Sequence, residues 1–234
     1  MSPFAIATLP SATSWFARGR SRAWLTSLAL PYLGENPMEV GSGLGDYAQT
    51  WLDAGVPSIT VTDPDPERAG RLASRFADDD RVSAKRLGLP TDDTGDHSAL
   101  VAFNVLEHIP DHVGALRSAA GLVRPGAPVV ILVPAFESVM SDFDRKIGHV
   151  RRYRKASLAS AFEQAGLTVE DVHYVNAVGL PAWWLMMKML KGTPSNSPLL
   201  RFYDRTVVPV MRRAEKLRPA PFGQSVLAIG RTPQ

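Results

Sequence analysis

Apolar residues recur along this chain in short blocks separated by amphipathic stretches. Blocks at residues 37–40, 58–62, 81–87, 99–103 and 128–133 read as five strands; the last two are apolar throughout, as strands covered on both faces are. Residues 167–174 alternate as a sixth strand, and 225–229 form a seventh. The segments between them carry helical signals. One helix is predicted from Asp46, as N-cap, to Ala54, with Gly55 stopping it. Asp65-Pro66 opens another that runs to Phe76. Further helices are predicted over 111–120 and 155–165, each followed by a glycine, and a long loop over 136–154. At the start, Trp15, Phe16, Trp24, Leu25 and Leu28 fall at helical spacing with arginines between them, which predicts one or two leading helices.

Strand–helix alternation of this kind predicts an α/β fold with a doubly wound, mostly parallel sheet. The expected organisation is a single domain: leading helices over 1–36, a core over 37–179, a helical cap insertion over 180–223, and the last strand over 224–234. Composition narrows the picture further. The chain has 234 residues, a net charge of +3 and no cysteine. Disulfides, thiolate zinc sites and cysteine nucleophiles are excluded, and the small, dispersed charge gives no nucleic-acid signature. Residues 1–10 lack the pattern of a signal peptide, and the apolar run at 178–187 is too short to span a bilayer. A cytoplasmic protein is expected.

The chemistry starts at Met38-Glu39-Val40-Gly41-Ser42-Gly43-Leu44-Gly45-Asp46. Glycines at 41, 43 and 45 allow a sharp turn and close approach to a ligand. A tight structural turn alone would use the same residues, but this one follows a strand and opens a helix. Two carboxylates, Glu39 and Asp46, flank it. They would repel a pyrophosphate and suit a cationic ligand without phosphate, such as S-adenosylmethionine (SAM), which disfavours a nicotinamide dinucleotide. Asp63 ends the second strand, where an acid takes ribose hydroxyls; Asp63-Pro64-Asp65-Pro66 is also a plain turn. After the fourth strand comes Asn104-Val105-Leu106-Glu107-His108, at the sheet edge where ligands bind. Glu107 and His108 are either part of a site or local caps.

Taken together, the Glu39–Gly45 turn, the acid at 63, the Asn104–His108 run and Arg124-Pro125-Gly126 resemble the class I SAM-dependent methyltransferase family. The resemblance covers about 37–166. It implies strand order 3-2-1-4-5-7-6 with strand 7 antiparallel. It implies that Gly41, Ser42, Gly43 and Gly45 lie against the methionine part of SAM, with Glu39 organising the turn or the ammonium. Asp63 would take the ribose hydroxyls, Pro64, Gly88 and Leu89 would lie near the adenine, and Asn104 and Val105 near the ammonium end. The chain departs from the common pattern at Ser98 and Gly88, where many relatives carry acids.

Some family members bind a divalent metal through a Glu-x-x-Glu-His motif and a later histidine. Glu107, His108 and His149 resemble that set, but Asn104 replaces the first glutamate, so a metal stands only as an alternative. His149 opens a basic stretch with Arg151, Arg152 and Arg154, which is either a substrate-side loop offering a base or cations for an acidic or phosphorylated substrate, or a solvated basic face leading into a helix; His149 meets Glu107 or His108 only if that loop folds back. His108 and His149 are the candidate bases. In the cap, Trp183, Trp184, Met186, Met187, Met189, Leu190, Phe202, Tyr203, Val207, Val208, Val210 and Met211 would pack as an extra layer, line an apolar pocket or touch a membrane surface. The expected function is methyl transfer to an oxygen, carbon or nitrogen of a small, fairly hydrophobic or lipid-like molecule. A SAM-binding or partner-binding protein without turnover is the alternative.

Overall fold

A computed structural model describes residues 19–181, 203–217 and 220–234. Its centre is a seven-stranded sheet: β1 (Met38–Val40), β2 (Ile59–Asp63), β3 (Val82–Arg86), β4 (Leu100–Phe103), β5 (Pro128–Pro134), β6 (Thr168–Val175) and β7 (Ser225–Arg231). The order is β3-β2-β1-β4-β5-β7-β6. β1 to β5 pair in parallel, and β7 runs antiparallel between β5 and β6. The order reverses between β1 and β4, the crevice where open α/β sheets hold ligands.

Helices cover both faces: α1 (Arg20–Ala29), α2 (Asp46–Asp53), α3 (Pro66–Arg75), α4 (His112–Gly121), α5 (Asp142–Lys146), α6 (Lys155–Gln164) and α7 (Val208–Leu217). Side chains alternate faces along a strand, and the core divides accordingly. Leu100, Ala102, Val129, Ile131 and Val133 join Leu116 of α4 and Phe162 of α6. Val101, Phe103, Val130 and Leu132 meet Trp24 of α1, Trp51 of α2, Leu72 of α3 and Val208 of α7. Each fully buried side chain of this size contributes about 1.5–3 kcal/mol.

Local differences from the sequence reading have local causes. Asp46 is not the N-cap of α2. Gly45 takes that place with φ 77° in the left-handed region, and Asp46 begins the helix. The stretch expected as a long loop over 136–154 contains α5, opened by a capping box in which Ser141 and Asp144 satisfy each other's backbone N–H groups. Ser98, at the position where the resemblance leads one to expect an acid, donates to the Leu33 carbonyl at 2.6 Å and accepts from Asn36 N at 2.8 Å, so it fastens the segment entering β1.

Of the stretch 180–223, expected as a helical cap, residues 180–181, 203–217 and 220–223 are described, among them α7 and the turn before it. Val208 is buried, Met211 packs on the core and Val210 is exposed; Trp183, Trp184, Met186, Met187, Met189, Leu190 and Phe202 lie outside the described residues. Asp204 caps α1 by accepting from Arg20 N at 3.1 Å and Ser21 N at 2.8 Å. Glu215 accepts from Asn176 N and Ala177 N just beyond β6. Among the described residues, no helix is long and apolar enough to cross a membrane.

Candidate functional site

The glycine turn leaves β1 with Gly41, Gly43 and Gly45 at φ 71°, 59° and 77°, all in the left-handed region. Ser42 closes it by donating to the Glu39 carbonyl and accepting from Thr62 N. Asp63, 2% exposed, accepts from Gly43 N at 3.2 Å and from Asp65 N at 3.0 Å. It therefore joins the turn to the end of β2. Burial raises its pKa, while these hydrogen bonds and Arg68 act against that. Backbone approach is tight around the turn: a Cβ on Gly41 would stand 2.5 Å from Val105 Cγ2. Farther along, a Cβ on Gly88 would stand 2.7 Å from Pro64 Cβ, and Leu89 is buried beside them. Asn104, just after β4, has φ 55°, a left-handed conformation that asparagine adopts more readily than most non-glycine residues, and its N–H bonds the Leu132 carbonyl.

Asp46 differs from the sequence reading in its electrostatics. Its carboxylate lies 3.3 Å from Arg22 and 2.9 Å from Arg75. Its charge is compensated by the protein, and the turn's acidity rests on Glu39. That side chain is 3% exposed, and its Oε2 has no hydrogen-bond partner. Burial pushes its pKa up to about 7, with Ser42 and the Ala48 N–H pulling the other way.

The segment after β5 folds back, so His149 does meet both Glu107 and His108. Val150 N donates to the Glu107 carbonyl at 2.9 Å. The His149 and His108 rings pack edge to face, with centroids 4.7 Å apart. His149 Nε2 is 3.7 Å from Glu107 Oε1, and its Nδ1 is 2.9 Å from Asp144 Oδ1. Glu107 is fully buried, and neither carboxyl oxygen has a hydrogen-bond partner. Burial pushes it up to about 7 against the pull of His149. Burial and the neighbouring His149 bring His108 down to about 4, which keeps it neutral at physiological pH. Neither Glu107 nor His108 caps the next helix; Asp111 does, accepting from Gly114 N.

A pocket opens here between α1 and the ends of β4 and β5, lined by Trp24, Leu25, Tyr47, Asn104, Phe143 and His149 among others. Buried polar atoms are almost always hydrogen-bonded, so exceptions call for a reason. Among the described residues, six buried side-chain atoms have no partner, and they belong to Glu39, Tyr47, Glu107, His108 and His149. Tyr47 and His149 line the pocket itself, Glu39 supports the glycine turn, and Glu107 and His108 stand against His149. One ligand atom from each of Glu107, His108 and His149 lies within 4.8 Å of the others, a donor set that fits a divalent cation.

Sequence reasoning missed Tyr47 and Asp144, and read Arg152 only as part of a basic stretch. The signal for Asp144 was present: Ser141-Asp142-Phe143-Asp144 has capping-box spacing, five residues before His149.

The chain matches the family model described as a methyltransferase domain over residues 16–172. It is similar to the 27-O-demethylrifamycin SV methyltransferase of Amycolatopsis mediterranei, at 28% identity over 177 residues. That alignment takes in 68% of this chain and 63% of the relative, so the chain spans just under two thirds of that relative's length. It is also 28% identical over 164 residues to a ubiquinone biosynthesis O-methyltransferase of Xanthomonas oryzae, covering 62% of this chain and 68% of that one. Two of the solved structures that share the fold illustrate the likeness. A geranyl diphosphate methyltransferase in complex with SAM superposes with a TM-score of 0.62 at 15% identity, over 89% of this chain and 84% of that one. The Haemonchus contortus phosphoethanolamine N-methyltransferase 2 does so with a TM-score of 0.60 at 13% identity, over 90% and 53%. With its strand order, its glycine turn and a family match over most of its length, the chain belongs to the class I SAM-dependent methyltransferases.

Proposed function

We propose that this protein transfers the methyl group of SAM to a hydroxyl oxygen of a small, partly apolar molecule, with His149 as general base. The observation that carries this reading is the placement of His149: buried, lining the pocket, with Nδ1 on Asp144 and Nε2 unpartnered. SAM, as the methyl donor, supplies an activated methyl on a sulfonium leaving group. The chain supplies position and proton acceptance. Gly41, Ser42, Gly43 and Gly45 would cradle the methionine part and Glu39 would face its ammonium. Asp63 would take the ribose, with Pro64, Gly88 and Leu89 along the adenine and Asn104 and Val105 at the inner end. Holding acceptor and methyl in line makes an otherwise bimolecular step effectively unimolecular.

As the acceptor oxygen forms its bond to the methyl carbon, the hydroxyl proton passes to His149 Nε2, and the electrons of the breaking carbon–sulfur bond stay on sulfur. The imidazolium so formed lies between Asp144 and Glu107. Trp24, Leu25, Phe143 and Ile147 give the pocket an apolar wall suited to an aromatic or alicyclic alcohol. Two relatives whose names specify O-methylation support oxygen as the acceptor atom.

The test is turnover of labelled SAM against a panel of phenols and hydroxylated polycyclic compounds. Wild type should form a methyl ether and S-adenosylhomocysteine, and His149→Gln should lose about 100-fold or more in turnover while still binding SAM. SAM binding without turnover by wild type on any acceptor would favour a binding protein. The Glu107, His108 and His149 cluster favours a second reading, in which these residues would hold a divalent cation that would lower the pKa of a bound hydroxyl. Loss of turnover on chelation, restored by added metal, selects that reading.

A further inference from the structure

Asp144 sits behind His149 with an unusually complete set of donors. Its Oδ2 accepts from Ser141 N at 2.7 Å and Ser141 Oγ at 2.6 Å; its Oδ1 accepts from Arg152 Nε at 3.2 Å and Nη2 at 2.7 Å. The remaining neighbour is His149 Nδ1, 2.9 Å from Oδ1. Asp144 is 1% exposed and Arg152 8%. We propose that Asp144 is a positioning residue, which fixes His149 as the Nδ1–H tautomer and so leaves the bare Nε2 facing Glu107 beside His108. The inference deepens the reading of His149 given above and rests on it for its catalytic meaning.

The argument is one of hydrogen-bond direction. A carboxylate surrounded by four other N–H and O–H contacts can only accept, so the ring nitrogen facing it must carry the hydrogen. Burial alone would raise the Asp144 pKa, but the His149 hydrogen bond, the Arg152 charge and the Ser141 hydroxyl hold it well below the usual carboxylate range. A neutral imidazole with hydrogen on Nδ1 has its lone pair on Nε2. That lone pair is what either a proton or a metal ion requires, so the assignment holds under both readings of the site. An amide at position 144 would set its NH2 group against either the Arg152 guanidinium or the Ser141 N–H and so would lose part of this network.

The experiment reads the tautomer directly. Full-length, chelator-treated protein with 15N-labelled histidine is studied by long-range proton–nitrogen correlation at mildly alkaline pH, with His149→Gln assigning the ring. Wild type should show hydrogen on Nδ1 and a bare Nε2. Asp144→Asn should populate the Nε2–H form, and its turnover should fall roughly 10- to 10,000-fold with the KM for SAM unmoved. Arg152→Met, which removes the other tenant of Asp144 Oδ1, should keep the wild-type tautomer even if less stable. An Nε2–H ring in wild type, or an Asp144→Asn spectrum identical to wild type, overturns the proposal; if Asp144→Asn does not fold, the wild-type spectrum decides. Should the tautomer be as stated while His149→Gln turns over normally, the Asp144 assignment stands and the base reading falls.

Discussion

Arg22 of α1 faces Asp46 at the start of α2 across 3.3 Å, and Arg75 reaches the same carboxylate from α3. Arg75 also bonds the Leu44 carbonyl. The acid next to the glycine turn therefore serves to pin two helices over it. Its charge is already matched, so Asp46→Asn should change SAM affinity by less than about fivefold, the scale of a partly exposed ion pair. A larger loss in a calorimetric titration would mean that Asp46 does face the ligand.

Glu39 should behave differently, because it is buried with one oxygen unpartnered. Glu39→Gln should weaken SAM binding about tenfold or more, as expected for losing a charged hydrogen-bond partner. Its pKa, raised by burial from 4.5 to about 7, also sets a pH dependence. The folded apoprotein holds this proton more tightly than the unfolded chain, so stability falls as pH rises from about 4.5 to about 7 and then levels off. An ammonium placed beside Glu39 favours the ionised form. SAM should therefore displace a proton near neutral pH and bind more tightly as pH rises through about 7. Binding enthalpies that do not vary with the ionisation enthalpy of the buffer would rule this out.

Gly41 and Val105 form a steric pair. Gly41→Ala combines a left-handed φ, costing about 1–2 kcal/mol, with a methyl 2.5 Å from Val105 Cγ2. Both stability and SAM affinity should drop. Adding Val105→Ala should restore part of the loss by removing the clash but not the backbone strain, which a double-mutant cycle measures. Strict additivity of the two changes would show that the contact does not matter.

Apart from α5, the long helices, the strands and the ligand edge of the sheet were readable because they depend on nearest-neighbour patterns: β-branched runs, Asp65-Pro66, glycines at 41, 43 and 45. Their spatial order came from the family resemblance. Asp46 was misplaced by one position because a left-handed Gly45 can cap a helix as well as an acid can. The Glu107–His149 meeting was left open, since it joins residues 42 apart through a fold-back that no local pattern specifies. Asp144 escaped notice for a similar reason. In sequence it is one of several charges near 145, and only the folded segment brings Ser141, His149 and Arg152 around it.

Asp204 offers a test of how α1 is held. Removing its two backbone contacts at the head of α1 by Asp204→Ala should cost about 1 kcal/mol, as for other N-caps, or a Tm decrease of roughly 2–4 °C for a chain of this size. Amide exchange should rise in α1 and much less in β4 and β5. Uniform exchange changes across the chain would show that Asp204 acts globally.

The contact of Asp204 with Ser21 spans 183 residues. One wall of the pocket comes from α1, and α1 is anchored by a side chain from the turn before α7. The two segments are thus a single interchangeable part. Grafting either one alone from a related enzyme would separate a helix from its cap, so any recombination aimed at a new acceptor range has to move both ends of the chain together.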